Sequence, residues 1–295
     1  MNSSEFLSLL NKKQTLVLDG ATGTNLQKRG LPIGTAPEIW LFDNPAGISQ
    51  LYSDFVEAGS DIILTCTFGG NRTRLAHANL AEKIVDVNQT AVQLAKIVTK
   101  DKDVLVAGSL GPTGEMMQPF GTLSEDEVFD IYQQQAKILI ATDVDLLVIE
   151  TQFDLIEAQA AVRAVRSVDS KIALVCSFSY DRGVRTMMGV KPFQMAEIFN
   201  EMAVNALGIN CGKSLEDNLS VLKTLKENTN KPIWFKPNAG LPTSNPDGST
   251  SYDVTPELMG AQVNSWIDAG ARLVGGCCGT SLEHLAAIAG VVKGK

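Results

Sequence analysis

The chain lacks the marks of several large protein classes. Its 25 Lys and Arg stand against 33 Asp and Glu, a formal net charge of −8. No basic stripe is available for a phosphate backbone, which excludes nucleic acid as a partner. No run of about 18 apolar residues occurs, so no membrane span is predicted. The first residues, MNSSEFLSLLNKKQ, are polar or charged where a signal peptide needs an apolar block, which predicts a cytoplasmic chain. The two histidines, His77 and His284, lie on helix-like stretches without metal-ligand spacing. Trp40, Trp234 and Trp266 are too scattered for a stacking platform. What remains is a chain with 44% hydrophobic and 20% charged residues, enough for a large core. The five cysteines are an odd number, and three of them fall in the last third. In a large non-secreted chain such a cluster reads as metal binding or catalysis before disulfides.

One pattern repeats along the sequence: a short β-branched run, a Gly/Thr/Asn/Pro break, then a longer amphipathic stretch. The runs are 15–19, 61–65, 104–109, 146–150, 172–177, 206–211, 232–236 and 272–276. Each is a continuous apolar block, as strands buried on both faces require. Helical segments are expected at 124–141, 155–168, 215–228 and 256–269. Ser124 to Glu127 forms a capping box, and Pro256 follows Thr255 at a first helical position. Eight such units predict a (β/α)8 TIM barrel spanning residues 1–295 as a single domain. A doubly wound sheet is the competitor, but no Gly-x-Gly-x-x-Gly follows the first strand.

In such barrels chemistry gathers where the strands end. That position collects Asp19, Thr65-Cys66-Thr67, Ser109, Glu150, Ser177, Cys211, Asn238 and Cys277-Cys278. Thiolates select soft ions, and a catalytic zinc has three protein ligands and one open position. Adjacent Cys277 and Cys278 can reach one ion only if the backbone turns sharply, a freedom expected of Gly275, Gly276 and Gly279. Buried structural thiols, a vicinal disulfide and a phosphate-holding glycine turn are the competing readings. Three thiolates around one zinc leave a formal charge of about −1, a centre suited to holding a substrate thiol as a nucleophilic thiolate. Alkyl transfer to sulfur follows more naturally from that than hydrolysis. Cys66 reads as an inert side chain, with a rim thiol as the alternative, and Cys176 reads as a core residue.

Seven segments extend the reading: LDGATGT (18–24), DIILTCTFGG (61–70), GSLGPTGE (108–115), VIET (148–151), GINC (208–211), KPNAGLP (236–242) and GGCCGT (275–280). In this order and spacing they resemble the homocysteine S-methyltransferases. GPTGE with the following PFG is closest to the homocysteine-binding module of cobalamin-dependent methionine synthase. Cys66 departs from the asparagine common at its place. The resemblance implies one Zn²⁺ per chain on Cys211, Cys277 and Cys278, with Asn238 beside the metal. It implies that Asp19 and Glu150 hold the homocysteine ammonium, that Gly20 meets the carboxylate and that Thr67 lines the pocket. The product would be methionine, in methionine biosynthesis.

The implied donor is a methylated corrinoid on a separate protein, docking near the loop expected at 241–253 and the segment 116–123. The alternatives are a small donor such as S-methylmethionine or a betaine-like compound, and a non-catalytic zinc barrel docked on a corrinoid partner. An aldolase-like phosphate barrel would need a lysine at the rim, and Lys236 is its candidate.

Overall fold

The computed structural model describes residues 1–246 and 248–294. Asp247, inside the segment expected to dock a partner, lies outside the described residues. The strands are β1 (Leu16–Val17), β2 (Ile62–Leu64), β3 (Leu105–Leu110), β4 (Leu146–Gln152), β5 (Ala173–Phe178), β6 (Ala206–Cys211), β7 (Ile233–Pro237), β8 (Pro242–Ser244), β9 (Thr250–Tyr252) and β10 (Ala271–Val274). All but β8 and β9 form one parallel sheet in the order β1-β10-β7-β6-β5-β4-β3-β2. A parallel bridge from Leu18 to Ile62 brings its two edges together. The result is the (β/α)8 barrel, with strands within a residue or two of the expected runs. β8 and β9 pair as an antiparallel hairpin inside the segment expected to be a loop.

The continuous apolar blocks serve two cores, because successive strand side chains face opposite ways. Leu16, Leu18, Ile62, Leu64, Leu146, Val148, Val175, Trp234 and Leu273 fill the barrel, with Ala107, Ala173 and Ala206 making room for the indole. The alternating positions, among them Val17, Ile63, Leu147, Ile149, Cys176 and Ile209, pack outward on the helices. The helix Glu125–Ala141 shows how that layer is specified. Ser124 caps it, with Glu127 Oε2 accepting from Ser124 N at 2.8 Å. Val128, Ile131, Tyr132, Gln135, Ala136 and Leu139 then fall on one buried face.

A helix at Ser3–Lys13, capped by Asn2, closes the barrel's N-terminal end. Phe6 and Leu10 join the interior core, and Arg272 at the start of β10 donates to Leu10 O at 2.7 Å. The β1–β2 seam has few backbone bonds, and two carboxylates supplement them. Asp61 Oδ2 accepts from Val17 N at 2.8 Å, and Asp19 Oδ2 from Leu64 N at 2.7 Å. Asp61 Oδ1 also pairs with Lys293 at 3.0 Å and Lys13 at 3.8 Å, the last residues of two helices.

Candidate metal centre and substrate pocket

The C-terminal strand ends surround a cavity of about 1050 Å³. Asp19, Ser109, Glu150, Cys211, Lys236, Cys277 and Cys278 share its wall. The Sγ atoms of Cys211, Cys277 and Cys278 all lie within 4.8 Å of one another, and Cys211 and Cys277 are 2.9 Å apart. No disulfide joins them.

Strained backbone builds this cluster. Cys211 ends β6 with φ 58°, and Thr151 near the end of β4 has φ 60°, a left-handed conformation that a β-branched residue rarely adopts. Asn210 holds both. Its Oδ1 accepts from Thr151 N at 2.9 Å and Ser177 Oγ at 2.6 Å, and its Nδ2 donates to Thr151 Oγ1 at 2.7 Å. Nδ2 also reaches Cys211 Sγ at 3.5 Å and Cys277 Sγ at 4.0 Å. The other two cysteines are tied to the end of β7: Cys277 N donates to Pro237 O at 2.8 Å, and Ala239 N donates to Cys278 O at 2.9 Å. Of the three glycines expected to free this turn, only Gly279 is left-handed, at φ 81°. A Cβ on Gly279 would meet the Tyr252 ring at 2.3 Å, so the hairpin lies directly on the cysteine turn. Gly275 and Gly276 serve close packing instead, against Leu18 at 2.6 Å and Thr280 at 2.2 Å.

Three half-buried thiols this close cannot all ionise without a cation. Hydrogen bonds from Cys211 and Cys277 hold the Cys278 thiol well below its usual value. The Cys211 bond also favours ionised Cys277, but the Cys278 bond and burial outweigh it and carry that thiol up to about 12. Bonds to Cys277 and Cys278, with burial, hold Cys211 well above its ordinary value. One thiolate thus forms and keeps its neighbours protonated; a divalent ion would release the remaining two protons. Asn238 is tied to the end of β6, with N donating to Cys211 O at 3.2 Å and Nδ2 to Gly212 O at 2.8 Å, but it is not on the cavity wall. Its Oδ1 is buried without a partner among the described residues, an acceptor in want of a cation or donor. The residues present fit a metal.

The carboxylates are arranged less symmetrically than expected. Glu150 Oε1 accepts from Ser109 Oγ at 2.5 Å. Burial pushes the Glu150 carboxyl up to about 7 against the opposing charge of Lys236. Asp19 is fully buried and already carries a partner, because Lys236 Nζ donates to its Oδ1. Burial raises the Asp19 carboxyl, with Lys236 pulling it back. Burial alone would lower the Lys236 amine, but Asp19 and Glu150 more than offset this and hold it above the ordinary lysine value. A Schiff-base lysine needs the reverse, so Lys236 does not serve the aldolase alternative.

Gly20 lines the cavity as expected, but Thr67 does not. The Thr67 hydroxyl turns into the protein, donating to Ser109 O at 2.8 Å, and Thr65 stands on the wall in its place. Cys66 lines the cavity but is almost fully buried, its thiol pushed up by burial, and Cys176 sits in the outer core. His284 caps its own helix through Ser281, and His77 pairs with Glu115 at the surface, both outside the cysteine cluster. Sequence reasoning missed Asn210, Tyr252 and the pairing of Lys236. Only Lys236 left a signal, a cation within an apolar strand.

A barrel with a trithiol centre and two buried carboxylates at its catalytic end defines an enzyme of small-molecule thiol chemistry. Residues 16–292 match the family model described as homocysteine S-methyltransferase, and the chain belongs to that family. It is 30% identical to the homocysteine S-methyltransferase YbgG of Bacillus subtilis (strain 168), over 95% of each chain. The metallated crystal form of the homocysteine methyltransferase MmuM from Escherichia coli is 25% identical, with a TM-score of 0.81 over 96% of this chain and 98% of that one. Its oxidised form gives 0.79 at 25% identity, over 95% and 97%. The chain is a homocysteine S-methyltransferase.

Proposed function

We propose that the metal is zinc, one per chain, and that the enzyme methylates the homocysteine thiolate to form methionine. The observation that carries this is the trio Cys211, Cys277 and Cys278, whose sulfurs lie within 4.8 Å on the wall that also holds Asp19 and Glu150. Bound there, zinc would supply thiol activation: it lowers the pKa of an incoming thiol while the three thiolates keep the centre electron-rich. Cys211, Cys277 and Cys278 are the ligands, and Asn238 offers its unpartnered Oδ1 beside them when substrate is away. Glu150 receives the substrate ammonium with Asp19 behind it, and the backbone at Gly20 lies within reach of the amino-acid end. With the thiol proton gone, no general base is needed, and holding sulfur and methyl in line supplies the remaining acceleration. Residues 1–295 form one functional unit, and the five free cysteines suit a cytoplasmic setting.

The donor in this reading is a methylated corrinoid on a separate protein. Its support is the GPTGE segment together with exposed Met116 and Phe120 on the loop after β3 and exposed Leu241 before the hairpin. A small cationic donor is the second reading. It is favoured by relatives of the same single-barrel length and by Glu38, a buried carboxylate on the cavity wall. Methionine formation from homocysteine, measured with methylcobalamin, S-methylmethionine and a betaine in turn, separates the two.

Elemental analysis of reduced protein, with and without homocysteine, tests the zinc reading. One zinc per chain and release of about one proton on thiol addition at neutral pH are expected. Cys278→Ala should lose zinc and activity together. Full activity in that variant, or no zinc in metal-replete wild type, would refute it.

A further inference from the structure

We infer that Lys236 reads the α-carboxylate of the acceptor, so that the pocket selects a thiol with a complete amino-acid end over a simple aminothiol. This rests on the homocysteine reading above and adds to it a residue that distinguishes among thiols. The side chain is 5% exposed and lines the cavity beside Asp19, Glu150 and Cys277. An ammonium carries three donors. One goes to Asp19 Oδ1, and no second acceptor for Nζ occurs among the described residues.

The nearest side chains direct their oxygens elsewhere. Asp19 Oδ2 is committed to Leu64 N at the barrel seam. Glu150 Oε1 is taken by Ser109. The Trp234 ring, 6.0 Å from Nζ, offers an aromatic face. A cation on a cavity wall with donors to spare is a ready seat for an anion. Homocysteine brings one on the carbon that bears its ammonium. With the carboxylate on Lys236 and the ammonium on Glu150, charges alternate across the pocket: Asp19, Lys236, substrate carboxylate, substrate ammonium, Glu150. A thiol with an amine and no carboxylate would leave the Lys236 donors unmet.

The test is equilibrium binding to the zinc-loaded enzyme of L-homocysteine and of 3-mercaptopropan-1-amine, the same molecule without its carboxylate. Wild type should prefer homocysteine by about 10- to 100-fold, the range for a hydrogen bond to a charged group. In Lys236→Met the preference should collapse to within about threefold because homocysteine weakens and the amine does not. Lys236→Arg should keep part of it. Equal affinities in wild type would overturn the inference, as would an equal loss for both thiols in Lys236→Met, the signature of a lysine that only steadies Asp19. Should Lys236→Met fail to fold, the wild-type ratio and Lys236→Arg decide. Binding of neither thiol to wild type would overturn the homocysteine reading itself.

Discussion

Replacing Glu150 by glutamine should make the metal-free protein more stable at the pH where the enzyme works, and worse at its task. The Glu150 carboxyl rises from its ordinary 4.5 to about 7 because burial removes the water its charge needs. That difference corresponds to about 3 kcal/mol. Its contribution favours the fold below the unfolded-state value, where the carboxyl is neutral in both states, and is lost as pH rises through about 7. The amide variant keeps an oxygen for Ser109 and never ionises. Glu150→Gln should therefore match wild type near pH 4 and exceed it by about 3 kcal/mol near pH 8. Urea unfolding of both proteins at several pH values measures this, and the difference cancels the titrating groups that do not sense Glu150. Homocysteine affinity in wild type should rise as the carboxylate forms around pH 7, a rise absent from the variant. A stability difference that stays flat from pH 4 to pH 8 would refute the reasoning.

Three further outcomes follow from the packing. Asn210→Ala removes the clamp on left-handed Thr151 and the donor beside two sulfurs; metal affinity should fall about 10- to 100-fold in chelator competition, and unchanged affinity would show the cradle stands without it. Gly279→Ala should cost about 2 kcal/mol or more in denaturant unfolding, and adding Tyr252→Ala should restore the steric share but not the backbone share. A double variant as unstable as the single one would assign the whole cost to the backbone angle. Phe6→Ala should lower stability by about 3–5 kcal/mol while leaving homocysteine affinity intact, since it plugs the end away from the cysteines. Loss of affinity there would mean the two ends are coupled.

The fold was legible because each strand must satisfy two apolar layers at once, which writes an unbroken block such as LLVIE into the sequence. The rim was legible because cysteines, carboxylates and hydroxyls at block ends mark the catalytic face. The N-terminal helix escaped notice because its apolar residues, Phe6 and Leu10, are few and sit among polar ones, and only the barrel interior gives them a destination. The hairpin was read as a loop because its strands are short and mostly exposed. Asn210 was hidden by ordinary appearance: one amide in an apolar strand carries no sign that its four hydrogen-bonding positions are all in use. Lys236 was seen as a possible nucleophile. Its role depends on a carboxylate 217 positions away, a pairing set by barrel closure and not by any local spacing.

Asp19 gives one oxygen to the seam and the other to Lys236, so architecture and recognition meet in a single side chain. Such a residue cannot be tuned for one duty alone. A longer carboxylate would displace the pocket cation or the Leu64 amide, and an amide would weaken both. The seam is also where the barrel has least backbone pairing, the place local opening begins. A substrate held between Lys236 and Glu150 spans β7 to β4 across the barrel and acts through Lys236 on the carboxylate that closes the seam. Ligand occupancy and barrel integrity are therefore thermodynamically linked: the Leu64 amide should exchange its proton more slowly with homocysteine present, as the breathing of the fold is damped by its own substrate.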